Sequence, residues 1–378
     1  MITAQEVKQL ALDQGVPLPH IEKDYVMGWL LWGIYTNSGI CNNLILKGGN
    51  CLRKIYFADT RFSDDLDFTT YRLESNDVFR NYLSSICDSV SKASGIEFDM
   101  QNIAVQLKDT PDQECKALDA RVYFKGFAGD SSITMRIKFD ISEYERIVLP
   151  IQQHPILHHY SDAHLLNVKI ATYSLEEVLA EKLRSWIQRT RPRDLFDVVK
   201  IIQSRAIPIN KRQILSAFFN KTLFKNIPVA SKEEMMFDGK FKTIEQSWSD
   251  SIVCPKNAII LVGNAITLFR DFVEALFEPS TLQTLGFSGV TGSYGYNIRS
   301  GFREVIIEAG KARKILRLKY SDKDRDIEPY SFRFKKGNEC FFGFDRTRGQ
   351  SIKNFHLSSI QGVSILPTQF IPRWVVEF

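Results

Sequence analysis

Apolar residues recur at helical spacing through residues 3–38, with Ile21, Tyr25, Val26, Trp29, Leu30 and Ile34 on one stripe. Pro17 and Pro19 divide this stretch into a first helix and a second that begins near His20. The pattern then changes over residues 43–69, to a short apolar run, the pair Gly48-Gly49, an amphipathic segment, and a strand-like run in which Asp65 and Asp67 flank Leu66. Alternate residues of a strand point to opposite faces, so the two carboxylates project together while Leu66 and Phe68 face the other way. Residues 76–94 read as a further helix.

Residues 95–150 carry strand signals. The clearest lies over 132–142, where Ile133, Met135, Ile137 and Phe139 alternate with Thr134, Arg136, Lys138 and Asp140, leaving Asp140 at the end of the polar face. Ser174 and Glu177 form a capping-box pair that opens a helix with Leu175, Val178, Leu179 and Trp186 on its apolar stripe. Lys182 falls on that stripe, where a lysine either snorkels past the core or meets something negative. After a break at Thr190 to Pro192, Asp194 and Asp197 lie three apart on one helix face. Asp194 in a first turn is explained by the helix dipole alone, Asp197 less so.

Residues 210–250 are polar and mixed and read as an inter-domain connection. An apolar helix is expected over 256–277 and a Gly-, Ser- and Tyr-rich loop over 286–301. Beyond it the period becomes two: Leu316, Leu318 and Tyr320 alternate with Arg317 and Lys319, and Lys336, Gly337 and Asn338 read as a hairpin turn into a strand over 339–344.

At 378 residues the chain exceeds one ordinary core, and 44% hydrophobic with 25% charged residues is the balance of a globular protein. The six cysteines are scattered, without CxxC spacing, so neither a zinc site nor a disulfide framework is encoded. With no signal-peptide pattern at the start, this predicts a cytoplasmic location. Arg270, Asp271 and Glu274 interrupt the most apolar run, which argues against a membrane span. Residues 301–378 carry fifteen Lys or Arg against nine Asp or Glu, and the preceding 300 residues net −1. Such a basic module serves nucleic acid or another anionic partner, or is simply a solvated surface.

Transfer of a nucleotidyl group requires a triphosphate to be neutralised and its reacting oxygens aligned, which metal ions on shared carboxylates achieve. Asp65, Asp67 and Asp140 are the candidate metal ligands, and Gly48 and Gly49 allow backbone amides to approach phosphates. The ordered set Glu22-Lys23-Asp24-Tyr25, Leu46-Lys47-Gly48-Gly49-Asn50-Cys51-Leu52, Arg61-Phe62-Ser63-Asp64-Asp65-Leu66-Asp67, Ala180-Glu181-Lys182-Leu183 and Arg193-Asp194-Leu195-Phe196-Asp197 resembles the AbiEii/AbiGii-type nucleotidyltransferase toxins.

That resemblance covers roughly residues 20–205. It implies metal binding by Asp65 and Asp67 with Asp140 as third carboxylate, and nucleotide contacts at Lys47, Gly48, Gly49, Ser63 and Lys182. Asp197 is implied as base or as orienter of Lys182, Asp194 and Arg193 as partly structural, and Asp64 reads as solvent-facing. On this reading Asp194→Asn loses only a capping contribution of about 0.5–2 kcal/mol.

The resemblance further implies Mg2+, a nucleoside triphosphate substrate, an RNA acceptor such as transfer RNA, and a cognate antitoxin, in a toxin–antitoxin or phage-defence pair. The C-terminal segments Arg325 to Pro329, Cys340 to Asp345 and Ile352 to Ile360 resemble a diverged WYL-type domain, which implies a DNA- or ligand-binding β barrel with a basic edge at Arg346, Arg348 and Lys353. The expected class is therefore α+β: a nucleotidyltransferase-fold mixed sheet with helices over 1–220, a helical connection over 221–300, and a small SH3-like barrel over 301–378. The alternative is a nucleic-acid-binding or ligand-sensing regulator that works through that basic module.

Overall fold

The computed structural model describes residues 1–36, 39, 43–109, 116–129, 132–143, 145–204, 207–225, 227, 229–278, 281, 302–335 and 338–378. The chain divides into two units, one of Met1–Val178 with Trp248–Leu261, the other of Leu179–Ser247 with Val262–Phe378. This division differs from the expected three parts: the first break falls inside a helix, and residues 221–300 contribute to both units. The loop expected over 286–301 lies outside the described residues.

The first unit is built on strands β1 Ile45–Lys47, β2 Asp65–Thr70, β3 Ala104–Asp109, β4 Lys116–Lys125, β5 Thr134–Glu143, β6 Gln152–Pro155 and β7 Lys169–Thr172, in the order β3-β4-β5-β2-β1-β7-β6. The sheet is mixed, with β2 parallel to β5 and β1 parallel to β7 while the other pairs are antiparallel. Helices α1 Ala4–Gln14, α2 Leu18–Thr36, α3 Gly48–Cys51 and α4 Asn76–Ser94 belong to the same unit. The predicted strand–turn–helix–strand order of residues 43–69 is present, and α3 runs on into a turn, Leu52–Tyr56, closed by an i→i+5 bond from Phe57 N–H to Leu52 O at 2.7 Å.

Period-two patterning decides which sheet face is covered. Leu66, Phe68, Phe139, Ile141, Leu118 and Ala120 are fully buried, so the opposite, polar face is left for Asp65, Asp67 and Asp140. Helices α2 and α4 cross at Gly33, where a Cβ would stand 2.8 Å from a Val90 methyl and 2.9 Å from one of Ile86. Only a residue without a side chain permits that approach.

The second unit receives helix α5 Leu175–Arg189 across the boundary, then α6 Pro192–Gln203 and α7 Lys211–Phe224. Thr190 takes φ 45° between α5 and α6, and Pro192 occupies the first turn of α6, where its missing N–H costs nothing. Its sheet contains β8 Val229–Ala230, β9 Lys314–Tyr320, β10 Lys323–Lys335, β11 Asn338–Asp345, β12 Ser351–His356 and β13 Ile360–Gln369, in the order β13-β9-β10-β11-β12-β8.

Every pairing in this sheet is antiparallel. The pairing gives an antiparallel sheet, which is as far as the expected SH3-like barrel is shown; among the described residues no ladder joins β13 to β8. The β12 edge is taken by β8, from far upstream in the chain. Lys335 pairs with Asn338, so Asn338, read as part of the turn, already belongs to β11, and residues 336 and 337 lie outside the described set.

Phe341 and Phe342 are adjacent in β11 and both fully buried, so both faces of the sheet are covered. The helix Phe302–Lys311 supplies Val305, Ile306 and Ala309 to the core that contains Phe341. On the other face Phe344 meets Phe219 of α7 edge-on at 5.3 Å between ring centroids. Phe219→Ala is expected to destabilise the protein by about 3–5 kcal/mol, measured as the loss of unfolding free energy in urea, because the cavity opens against Phe344, Phe277 and Trp374.

Candidate active site

The end of β1 turns sharply at Gly48, whose φ is +72°, a conformation that an L side chain strains to adopt. A Cβ there would lie 2.3 Å from Asp67 Oδ2, so the carboxylate leans directly over the turn. Gly49 is also closely approached: its Cβ would stand 2.8 Å from both Ser63 Oγ and Arg61 Nη2. Asn50, fully buried in α3, donates to the carbonyl oxygen of Asp65 at 2.7 Å and so ties the helix to the start of β2. Gly48, Gly49, Ser63, Asp65 and Asp67 are thus brought together, as their sequence proximity suggests.

Register carries the row further than the sequence could. Lys47 pairs with Asp67, Asp67 with Asp140, and Asp140 with Asp119, so four side chains stand abreast on β1, β2, β5 and β4. One step along, Asp65 pairs with Lys138, which pairs in turn with Arg121. Lys138 Nζ lies 3.1 Å from Asp140 and 3.7 Å from Asp119, while Asp119 also meets Lys108 at 3.0 Å and Arg121 at 3.2 Å. Partial burial alone would raise the Asp119 carboxyl, but these cations hold it below the usual carboxylate range. Burial likewise pulls Lys138 down, and Asp140, Asp65 and Asp119 outweigh it, keeping the ammonium above its ordinary value.

Asp119 and Lys138 were not singled out from sequence. The alternation of Leu118, Ala120, Val122 and Phe124 with Asp119, Arg121 and Tyr123 contains the signal for Asp119.

Lys47, expected at the phosphates, is paired in this structure with Glu145, which also accepts from Thr69 Oγ1 at 2.9 Å. Asp64, read as solvent-facing, is only partly exposed and pairs with Lys23 at 3.3 Å.

The second unit holds its own buried ionic cluster. Lys182 Nζ is 2.7 Å from Asp197 and 3.3 Å from Asp194, and Arg189 reaches both oxygens of Asp194 at 2.8 and 2.9 Å. Lys182 therefore does not snorkel: its side chain is 8% exposed, with both carboxylates at 1%. Ser174 caps α5 through the Glu177 N–H, but the Glu177 carboxylate turns away to the Val148 and Leu149 amides, so only half of the capping box forms.

The Glu22-Lys23-Asp24-Tyr25 segment is architectural. Glu22 accepts from the Phe127 and Ala128 amides, Tyr25 donates to Asp162, and Asp24 binds Arg53 and Lys54.

Among the described residues no three His, Cys, Asp or Glu side chains converge as a ready metal site. The polar face instead presents Asp65 and Asp67 on one strand with Asp140 in register. This hard, all-oxygen set suits Mg2+, which takes one or two carboxylates and fills the remaining positions with water and phosphate oxygens.

Two substitutions check this geometry. Gly48→Ala should cost about 1–2 kcal/mol in backbone strain and push Asp67 aside, so nucleotide affinity measured by calorimetry falls well beyond the stability change. Asp194→Asn should cost about 3–5 kcal/mol in thermal or urea unfolding, more than the capping contribution expected from sequence, because it strips a buried partner from Lys182 and Arg189.

With the fold and these residues in place, comparison with known proteins is informative. No curated protein matches the sequence. Among solved structures the chain is similar to MenT4, a nucleotidyltransferase toxin of Mycobacterium tuberculosis, at 17% identity over 75% of this chain and 93% of that one, with a TM-score of 0.52, a likeness of fold. JHP933 of Helicobacter pylori also matches, at 15% identity over 70% of this chain and 95% of its own, with a TM-score of 0.45. The sequence model of the family described as nucleotidyl transferase AbiEii toxin, type IV TA system, matches residues 29–251, more than half of the chain, and the chain belongs to that family of toxin nucleotidyltransferases.

Proposed function

We propose that this nucleotidyltransferase moves a nucleoside monophosphate from a triphosphate to RNA, with transfer RNA as the acceptor and Mg2+ as the metal. We further propose that it is the toxic partner of a cognate antitoxin in a toxin–antitoxin or phage-defence pair. The observation that carries the chemistry is the stacking of the Asp67 carboxylate over the Gly48 turn, with Asp140 abreast of it on β5. A donor set of that kind beside an unobstructed backbone is suited to a metal-bound triphosphate.

When bound, Mg2+ would supply charge neutralisation at the phosphates. Asp65, Asp67 and Asp140 would hold it. The Gly48 and Gly49 amides, with Ser63 alongside, would receive phosphate oxygens where no side chain intervenes. Lys182 keeps the phosphate-binding role that the family pattern gives it. Its 2.7 Å pair with Asp197 supports an orienting role for that carboxylate, since one already sharing its charge with an ammonium is a poor base. Lys47 would share its ammonium between Glu145 and a phosphate oxygen.

The regulator reading, in which the basic C-terminal part does the work, has less support. Arg373 is bound to buried Glu328, with Arg346 3.7 Å from it, and Arg325 and Lys353 are bound to buried Asp345, so much of the expected basic edge is neutralised internally.

Incubation with each labelled nucleoside triphosphate, Mg2+ and total RNA tests the proposal. Label is expected in the transfer RNA fraction, with loss of at least about a hundredfold in Asp67→Asn and Lys182→Ala. Label in protein or small molecules would reassign the acceptor, and no incorporation under conditions where the chain is toxic would reject the reaction.

A further inference from the structure

Buried charge in the first unit is unbalanced at one place outside the residues assigned to the nucleotide. Asp24, Arg53 and Lys54 are 4%, 6% and 1% exposed, so two cations share one carboxylate. Asp24 is fully subscribed: Oδ1 accepts from Arg53 Nε at 2.7 Å, and Oδ2 accepts from Lys54 Nζ at 2.7 Å and Tyr160 OH at 2.8 Å. The Arg53 guanidinium spends further donors on the Ala58 and Thr60 carbonyls and lies 3.6 Å over the Phe62 ring.

Lys54 has less company: beyond Asp24, its Nζ lies 5.8 Å over the Tyr160 ring. An ammonium carries three donors, and among the described residues Asp24 is its one hydrogen-bond acceptor. The surplus positive charge is therefore concentrated at Lys54.

Lys54 also lines a cleft of about 210 Å3 formed where the end of α1, α2, the turn Leu52–Tyr56 and residues 157–160 and 255–257 meet. Gln14 brings to it an amide whose Oε1 is buried without a partner, and whose oxygen and nitrogen exchange by a simple flip. His159 stands exposed at the cleft, its pKa pulled below the ordinary histidine value by partial burial and by Lys54, and its ring carries an N–H in either protonation state. Asp59, also exposed there, is screened by solvent in a way that the buried triad is not. Burial pushes Lys54 itself down to about 8, as expected of an ammonium short of partners.

We propose that this cleft is an anion site in which Lys54, Gln14 and His159 bind the phosphate or carboxylate group of a small molecule. A buried cation with unused donors in the wall of a cleft is stabilised by an acceptor, and an anion both fills the donors and cancels the surplus charge. The volume is below the ~300–1,000 Å3 of pockets for drug-sized ligands, which restricts the occupant to a small ligand or a single acidic group. The inference is independent of the nucleotidyl-transfer reading, because none of these residues belongs to the triphosphate set.

The test is calorimetric titration of the metal-free full chain, in EDTA, with inorganic phosphate and separately with acetate, at constant ionic strength set by chloride. Saturable binding of one of the two is expected, and which one identifies the group. His159→Glu, an exposed change that brings a negative charge to the cleft, should weaken binding by about tenfold or more, and Lys54→Met should do the same. Lys54→Met leaves Asp24 with Arg53 and Tyr160, so the fold retains a paired carboxylate. Asp67→Asn should bind as the unmodified chain does. Absence of saturable binding by either anion, undiminished binding in His159→Glu, or loss of binding in Asp67→Asn would overturn the proposal.

Discussion

The approach of the Asp67 carboxylate to the Gly48 turn is the constraint on which the polar face of the first sheet depends. With Oδ2 2.3 Å from where a Cβ would be, and φ at +72°, no other residue fits at position 48 without moving the aspartate. The end of β1, the start of α3 and the middle of β2 are thereby fixed together, and β2 in turn fixes β5 by parallel pairing. Asp140 comes abreast of Asp67 as a consequence of that pairing and not of any local preference.

Carboxylates set side by side repel, and the protein answers with lysine and arginine in adjacent register. Lys138 stands among Asp140, Asp119 and Asp65, so the face is held with its charge compensated. The second unit uses the same device with less solvent: Lys182 is matched against Asp194 and Asp197 almost wholly out of water, and the half-exposed Arg189 reaches Asp194 from the surface. Such pairs add little net stability compared with apolar residues, yet removing one partner is costly. They make the positions of these side chains rigid, and any cation that comes to the carboxylates must compete with those already there.

Much of this was legible along the chain because it is local. Asp65 and Asp67 alternate with Leu66 and Phe68, the Gly48-Gly49 turn precedes a short helix, and Asp194 and Asp197 fall on one turn spacing of α6. What was hidden is non-local. Register alone puts Asp119 beside Asp140, and only folding joins Asp24 to Arg53 and Lys54, or Lys47 to Glu145. The region 210–250 showed no clear period for a physical reason. Helix α7 buries Ile214, Leu215, Ala217, Phe218 and Phe219 around its circumference, so it has no polar stripe to mark its phase. Reading that region as a connector also concealed β8, whose pairing with β12 extends the C-terminal sheet beyond its own segment.

The central claim is that the Asp67 carboxylate over the glycine turn is where a divalent ion and a triphosphate meet. Electron paramagnetic resonance of Mn2+ titrated into the protein with a non-hydrolysable triphosphate measures this without any turnover. The account predicts a bound, nucleotide-dependent Mn2+ signal that is lost in Asp67→Asn while the variant stays folded. An undiminished signal in Asp67→Asn would contradict it.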